Sequence, residues 1–512
     1  MGADARPPVR RFEVPALFTP PAFDGADGRP AVEGVALATT GTATTIRTTY
    51  LDTPDLRLVR AGVALHHTSG GPSDERPTWH LRVPTLAGST EVSEPGGLSA
   101  LPVAVAALLP AWLRGASAAP VAVLRAEVAP VLLTDAAGGH LAEVRDETVS
   151  VLEGRRVLVR SREVVLVAGD DLAAADPLVE ALAERLGAAG AVPAPVLAPT
   201  VRALGPRASA PPDLPPPGRL RPSAPAGEVV AAALRTAVAR LLLADTSTRL
   251  DAPDGVHQLR VSCRRMRSDL ATFAPLVEPG WSGPLRDRLR ALADTLGAAR
   301  DLEVLRERLA TSALSDPLAP LDPAALARLD AALSDRADAA ETAVAVALAQ
   351  PDHLDLLAEL VAAAQGPLLL PLADRPARDV LPALVASAWG ELDRRVRRLR
   401  RRDPDERWHR ARIRAKRARY AAEAVAPAMG RRALTTAKAA ASVQEVLGEH
   451  QDAAIAADAL LSLAASVPHD AGLVLLCGRL VERQRALVRD ARRRLPSVWA
   501  AVDHRAVTGW LG

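Results

Sequence analysis

Hydrophobic and polar positions in residues 1–205 follow the two-residue period of β-strands. Short segments rich in Val and Thr end at turn residues, and glycine-containing turns join the later segments. This pattern predicts antiparallel hairpins. The predicted strands cover residues 44–51, 62–68, 79–83, 121–133, 141–152 and 155–167. Residues 103–109 and 176–186 are predicted to be helical, with a proline at or just before each start.

The pattern changes after a proline cluster within residues 206–226. Proline fixes φ and lacks an amide hydrogen, so we predict a semi-rigid linker there. Beyond it, Ala-, Leu- and Arg-rich segments show helical spacing, interrupted at prolines. About eight helices in two bundles of about four are expected. The fold class is α+β with two domains: an antiparallel β domain over 1–205 and an all-α domain over 227–512, with repeats at about 227–366 and 377–512.

One passage of the helical region occurs twice, 152 residues apart. The first copy, called here the first basic row, consists of His257, Arg260, Arg264, Arg265 and Arg267. The second basic row consists of His409, Arg412, Lys416, Arg417 and Arg419. A Leu-Gly-x-x-x-Asp segment follows each row, at 296–301 and 447–452. The helical domain is therefore predicted to be an internal duplication.

Helical spacing places most of each row on one face. Positions 0, +3, +7 and +10 fall within an arc of roughly 80°. Like charges stacked at this spacing repel each other unless an anion compensates them. The alternative is a solvated face on which arginines pair with acids of neighbouring helices, such as Asp301 and Asp452. Duplication of the row, each time opening with a histidine, favours a shared anion-binding surface.

Composition indicates which class of polyanion the protein binds and in which cellular compartment it is expected. The net charge of +3 combines about −6 over residues 1–200 with about +9 over the remainder, so the repeat lies in the basic half. Aromatic residues amount to only 3%, whereas single-strand nucleic-acid binders interleave aromatic stacking platforms with basic residues. Nucleic acid is therefore the less favoured polyanion. Cys263 and Cys477 are the only cysteines, and neither a signal peptide nor a membrane span is apparent, so a cytoplasmic protein is expected.

The helical half, about residues 225–512, resembles the CHAD family through the two basic rows and the paired Leu-Gly-x-x-x-Asp segments. The resemblance implies two pseudo-symmetric four-helix bundles with a basic groove between them that binds inorganic polyphosphate. It assigns that binding to the ten residues of the two rows. It also suggests association with polyphosphate granules, and it leaves the oligomeric state open.

The N-terminal half resembles the CYTH family through 50–62, 79–84 and 141–146. That family implies an antiparallel barrel, the triphosphate tunnel, which hydrolyses inorganic triphosphate with Mg²⁺ or Mn²⁺. The opening Glu-x-Glu-x-Lys of the family aligns with Pro7, Val9 and Arg11, and the last Glu-x-Glu-x-Glu with Glu163, Val165 and Val167. The positions that could retain a role are Arg11, Arg82, Arg125, Asp146 and Glu163.

Three functional hypotheses follow. The first is a polyphosphate-binding protein whose barrel has lost catalysis, with no cofactor and with affinity that rises as pH falls through about 6.5. The second is a metal-dependent triphosphatase with remodelled ligands, which alone would need Mg²⁺ or Mn²⁺. The third is a nucleic-acid adaptor.

Overall fold

The structure is a computed structural model that describes residues 9–25, 31–71, 76–153, 156–169, 173, 176–194, 199–314, 321–502 and 504–511. The chain divides into two compact units, Met1–Pro212 and Asp213–Gly512, and each is described by itself. The division falls inside the proline-rich segment 206–226. That segment is not uniformly irregular, because Pro206–Ser209 form a 3₁₀ helix and Pro225 makes a β-bridge with Pro376.

The N-terminal unit contains an antiparallel sheet. Its strands are β1 Val9–Glu13, β2 Leu37–Thr40, β3 Thr44–Asp52, β4 Ala64–Gly70, β5 Thr78–Thr85, β6 Gly88–Pro95, β7 Ala119–Thr134, β8 His140–Glu153, β9 Arg156–Ala168 and β10 Val192–Pro193. Its helices are α1 Arg57–Arg60, α2 Val103–Ala106, α3 Pro110–Leu113, α4 Pro177–Ala188 and α5 Pro199–Leu204.

The strand order is β10-β1-β9-β8-β7-β3-β4-β5-β6, with β2 paired to β7. The predicted antiparallel β domain is confirmed. Its closure into a barrel is not seen among the described pairings, because β6 and β10 are the two ends of the sheet. With only two residues, β10 offers few backbone groups that could pair with a further strand.

Turn and cap chemistry fixes the hairpins and α4. The Asp135 carboxylate accepts hydrogen bonds from the amides of Ala137 and Gly139, which closes the turn between β7 and β8. The Asp176 carboxylate caps α4 by accepting from the amide of Leu178 at 2.9 Å. One face of α4 then buries Leu182 and similar side chains against β8 and β9.

The C-terminal unit is helical throughout its described elements. The helices are α6 Ala226–Arg249, α7 Gly255–Thr272, α8 Pro279–Leu314, α9 Pro323–Ala349, α10 Pro351–Gln365, α11 Ala377–Arg398, α12 Asp405–Met429, α13 Arg431–Ser466, α14 Ala471–Ala500 and α15 His504–Thr508. Two more helices are described than the sequence predicts. Pro351 starts α10 as a separate helix because proline is compatible with a first helical turn, and the short α15 follows α14. None of the described helices is long and apolar enough to cross a membrane.

The segments at the starts of the two repeats exchange backbone hydrogen bonds. The amide of Ala226, at the beginning of α6, donates to the carbonyl of Arg375 at 2.9 Å. The amide of Ala377, at the beginning of α11, donates to the carbonyl of Ala224 at 2.8 Å. These exchanged hydrogen bonds place the first helices of the repeats side by side, as a pseudo-symmetric duplication requires.

Alanines on α12 bring its neighbours close. Ala411, Ala415, Ala418 and Ala422 are fully buried on one face. Small side chains permit close packing of helices, so the long basic side chains of α12 are confined to the rest of its circumference. The buried pattern of α12 therefore decides where its charges lie.

Candidate functional site

The two basic rows lie on α7 and α12, which pack against each other. Two open cavities are lined by residues of both rows. The first, of about 450 Å³, is lined among others by Arg264, Arg267, His409, Arg412, Lys416 and Arg417. The second, of about 440 Å³, is lined among others by His257, Arg260, Arg264, His409 and Arg412. The two cavities adjoin through Arg264, His409 and Arg412, and together they are called the basic groove.

Arg260 and Arg412 are each held by the second repeated signature. Arg260 donates to Asp301 at 2.6 Å, and Arg412 to Asp452 at 3.4 Å. A glycine lies four residues before each aspartate. A Cβ at Gly297 would lie 3.3 Å from Arg260 Nη2, so this glycine makes room for the guanidinium, whereas a Cβ at Gly448 would lie 3.7 Å from Arg412 Nε, an ordinary contact. The Leu-Gly-x-x-x-Asp segments therefore position one arginine of each row.

Arg265 and Arg419 pair with an acid on α12 and do not line the groove. Both contact Glu423 of α12, at 3.0 and 2.7 Å respectively. This carboxylate ties α7 to α12, and neither arginine lines the groove. Arg417 lines the groove but also lies 3.3 Å from Glu391 of α11, which Arg414 contacts at 2.6 Å. The ten sequence-predicted residues therefore divide into eight at the groove and two that brace its helices.

Three cations of the groove lack an acidic partner. Among the described residues, no carboxylate lies within 4 Å of Arg264, Arg267 or Lys416. Burial, followed by the charges of Arg264 and Arg412, lowers the pKa of Lys416 to about 6. Burial also lowers the pKa of Arg412 and of Arg267. Each lowered pKa marks a position where a bound anion would relieve repulsion and desolvation.

The row histidines lie at the groove with one ring nitrogen unused. The Nδ1 atoms of His257 and His409 are buried and have no hydrogen-bond partner in the described part of the chain. Burial, together with the charge of Arg300, lowers the pKa of His257, so this histidine becomes charged below 6.5 rather than at it. His450 lies outside the groove: it is fully buried and stacks on Trp408 at 4.8 Å.

Sequence reasoning missed the contribution of α8. Arg286 lines the first cavity, and Arg300 and Arg308 line the second. Their spacing of 14 and 22 residues keeps them within roughly 80° on a helix, so periodicity could have indicated a shared face. At the 151-residue offset of the Leu-Gly-x-x-x-Asp segments, Arg300 and Arg308 correspond to Gln451 and Ala459, so the repeat does not indicate them.

Comparison with known proteins identifies the helical unit. The family model of the CHAD domain matches residues 232–461. Those residues form a CHAD domain. An uncharacterised protein of Mycobacterium tuberculosis, Rv2226, is 29% identical over 96% of this chain and 96% of its own length. The match therefore includes the part of this chain that precedes the CHAD domain.

Two solved structures are similar to this chain. PptA from Streptomyces chartreusis is 24% identical, with a TM-score of 0.47, and the match covers 54% of this chain and all of that one. The CHAD domain from the plant Ricinus communis is 28% identical, with a TM-score of 0.46, and the match covers 56% of this chain and 95% of that one.

In the unit before the CHAD domain, the predicted site residues do not come together. Arg11 lies 3.4 Å from both Glu147 and Glu163, and Glu163 is fully buried. The strand registers place Arg82 on the same face of the sheet but several strands away, and Arg125 and Asp146 on the opposite face. Pro7 lies outside the described residues.

Two local pairs account for the residues on that opposite face. Asp146 accepts two hydrogen bonds from Arg162, at 2.9 and 2.5 Å, and the pKa of Arg162 is raised by this bond. Arg125 pairs with Glu127 two positions along the same strand. Glu147, which sequence reasoning missed, is the acid that faces Glu163, as side-chain alternation along β8 could have indicated.

Proposed function

We propose that the CHAD domain binds inorganic polyphosphate in the basic groove. The observation that carries the proposal is the meeting of Arg264, Arg267 and Lys416 in one open cavity without a carboxylate within 4 Å, among the residues described. A linear phosphate polymer can engage such a row of cations and release its counterions. Burial, and then the neighbouring charges of Arg264 and Arg412, lower the pKa of Lys416, and a bound anion would counteract that repulsion.

The lining of the groove favours a polyanion without bases. Tyr420 is the one Phe, Tyr or Trp side chain among the described residues that line the two cavities. Recognition of single-stranded nucleic acid uses successive aromatic platforms, each of which stacks on a base. A row of guanidinium and ammonium groups instead fits evenly spaced phosphates.

We further propose that the N-terminal unit does not act as a triphosphatase. A divalent metal of the kind that CYTH proteins use needs several oxygen ligands. No group of three or more His, Cys, Asp or Glu side chains arranged for a metal ion is found in the described ranges. Glu147 and Glu163, which share a face of the sheet, already have the guanidinium of Arg11 at 3.4 Å. The residues do not fit the metal, so we derive no hydrolytic step.

A filter-binding titration tests polyphosphate binding. The double variant Arg264→Gln/Lys416→Met removes two cations of the groove, whereas the matched control Arg336→Gln/Arg432→Gln removes two exposed arginines that do not line it. Each charge-assisted contact contributes about 1.5 kcal/mol, so at pH 6, where Lys416 is largely able to take its charged form, the double variant should bind about 100-fold more weakly. The control should bind like the parent. If both variants bound polyphosphate with equal affinity, the groove would not be the binding site.

Two companion measurements address the other hypotheses. Release of phosphate from triphosphate with Mg²⁺ or Mn²⁺, abolished by Glu163→Gln, would establish the enzyme and overturn the proposal for the N-terminal unit. Single-stranded DNA that displaces polyphosphate at equal phosphate concentration would favour the nucleic-acid adaptor. We expect no phosphate release and no displacement.

A further inference from the structure

A second basic surface adjoins the groove, and it is not duplicated. Seven of the nine residues in 394–402 are arginines, spanning the end of α11 and the loop to α12. The corresponding stretch of the first repeat, 242–250, contains one arginine, Arg249, which is paired with Asp245 at 2.7 Å. The duplication of the domain therefore does not account for this surface, which is called here the arginine patch.

The patch has few acidic partners. Arg397 contacts Asp393 at 2.7 Å, and Arg400 is fixed by backbone carbonyls of Arg397 and Leu399. Among the described residues, no carboxylate lies within 4 Å of the side chains of the remaining five. Four of those five are exposed to solvent: Arg394, Arg398, Arg401 and Arg402.

Helix electrostatics explains only part of the patch. Cations in the last turn of α11 are favoured by the partial negative charge at a helix C-terminus. That effect does not extend to Arg401 and Arg402 in the loop. It opposes Arg407 and Arg410, which lie in the first two turns of α12, where the helix end is partially positive. Arg407 has Asp403 at 3.1 Å, but among the described residues no carboxylate lies within 4 Å of Arg401, Arg402 or Arg410, so these exposed cations indicate a partner outside the fold.

The patch is continuous with one wall of the groove. Arg414 and Arg417 line the first cavity, and both contact Glu391 of α11. Since α11 and α12 pack together and are joined by a short loop, they run antiparallel. Arg394 and Arg398 follow Glu391 by one and two turns, so they lie beside the N-terminal turns of α12, which carry Arg410 and Arg407. Positive charge thus extends from the groove along α11 to the loop.

We propose that the arginine patch is a second contact surface for the same polyphosphate strand, which leaves the groove past Arg414 and continues over α11 and the loop. This inference rests on the proposed function of the groove. A strand long enough to reach both surfaces binds the second one as an intramolecular event, at high effective concentration. A strand confined to the groove gains nothing from the patch. The patch therefore makes affinity depend on chain length.

The test compares tripolyphosphate with polyphosphate of about 100 phosphates, since only the long chain can bridge two surfaces. The patch variant changes Arg394, Arg398, Arg401 and Arg402 to Gln in the full chain. The control variant changes four other exposed arginines to Gln: Arg336, Arg431, Arg432 and Arg489. Affinity is measured for both ligands at two or more salt concentrations.

The patch variant should bind tripolyphosphate like the parent but bind the long chain at least tenfold more weakly. Its salt dependence with the long chain should fall by about 3 in logarithmic slope, since four phosphate contacts are lost. Equal losses for both ligands, or no loss beyond that of the control, would overturn the inference. So would loss of single-stranded DNA binding with long-chain polyphosphate binding intact. Failure of the groove itself would be recognised separately, because Arg264→Gln/Lys416→Met would then leave the tripolyphosphate affinity unchanged.

Discussion

Binding of polyphosphate should be accompanied by uptake of a proton at Lys416. In the free protein, burial and the charges of Arg264 and Arg412 lower the pKa of this ammonium group to about 6. At pH 7.5 such a group is only about 3% protonated. A polyanion in the groove counteracts the repulsion from Arg264 and Arg412 and raises the pKa of Lys416, because phosphate oxygens favour the charged ammonium group. The bound state therefore carries a proton that the free state lacks.

The sign and size of the pH effect follow from that difference. Proton uptake on binding means that affinity falls as pH rises, from the free pKa of about 6 up to the pKa in the complex. Within that window the change approaches tenfold per pH unit, so affinity should fall about 50-fold between pH 7 and pH 9 if the bound pKa reaches 9. Work above pH 7 avoids the ordinary titration range of histidine.

Isothermal titration calorimetry measures the uptake directly. The apparent enthalpy is compared in buffers of different ionisation enthalpy at pH 7.5, and the slope against buffer enthalpy should correspond to about one proton. Lys416→Arg keeps the cation and removes the titration, so its slope should be near zero and its affinity nearly flat from pH 7 to 9. The same slope in the parent and in Lys416→Arg would refute the reasoning.

Three further predictions concern stability and positioning. Lys416→Met should stabilise the free protein by on the order of 1 kcal/mol at pH 6, because at any pH below the ordinary lysine pKa folding must either bury the ammonium group or remove its proton; thermal unfolding without ligand checks this, and a loss of stability would contradict it. Gly297→Ala should weaken polyphosphate binding by displacing Arg260. Gly448→Ala, whose Cβ would lie 3.7 Å from Arg412 Nε, should bind polyphosphate normally and be more stable by about 1 kcal/mol. Equal binding losses in the two variants would argue that Gly297 does not position Arg260. Arg11→Met should destabilise the N-terminal unit by about 1–3 kcal/mol, because the substitution leaves Glu163 buried without this cation. Urea unfolding measures the free energy of unfolding, and an unchanged value would show that the contact does not contribute to stability.

Sequence periodicity predicted the two basic rows, but it could not predict which of their residues pair with an acid. The members of the rows differ in whether they have an acidic partner. Arg260 and Arg412 pair with Asp301 and Asp452, as expected for a solvated face, whereas Arg264 and Lys416 have no such partner among the described residues. Helical spacing gives the face of a residue, but pairing depends on which helix packs alongside. That information is long-range and is not contained in the local pattern.

Two other features show the same limit. Asp146 matches a family motif, yet strand alternation places Glu147, not Asp146, on the face with Glu163. The antiparallel sheet was predictable from its hairpins, since they depend on local turns. The duplication could not indicate the arginine patch, because the patch occurs in one copy only. Its significance depends on the packing of α11 beside the groove wall.

A crystal structure of the full chain with bound polyphosphate tests the central claim most directly. The account predicts phosphate density along the basic groove, with oxygens within hydrogen-bond distance of Arg264, Arg267 and Lys416. Phosphate bound only on other surfaces, with these three side chains untouched, would contradict it.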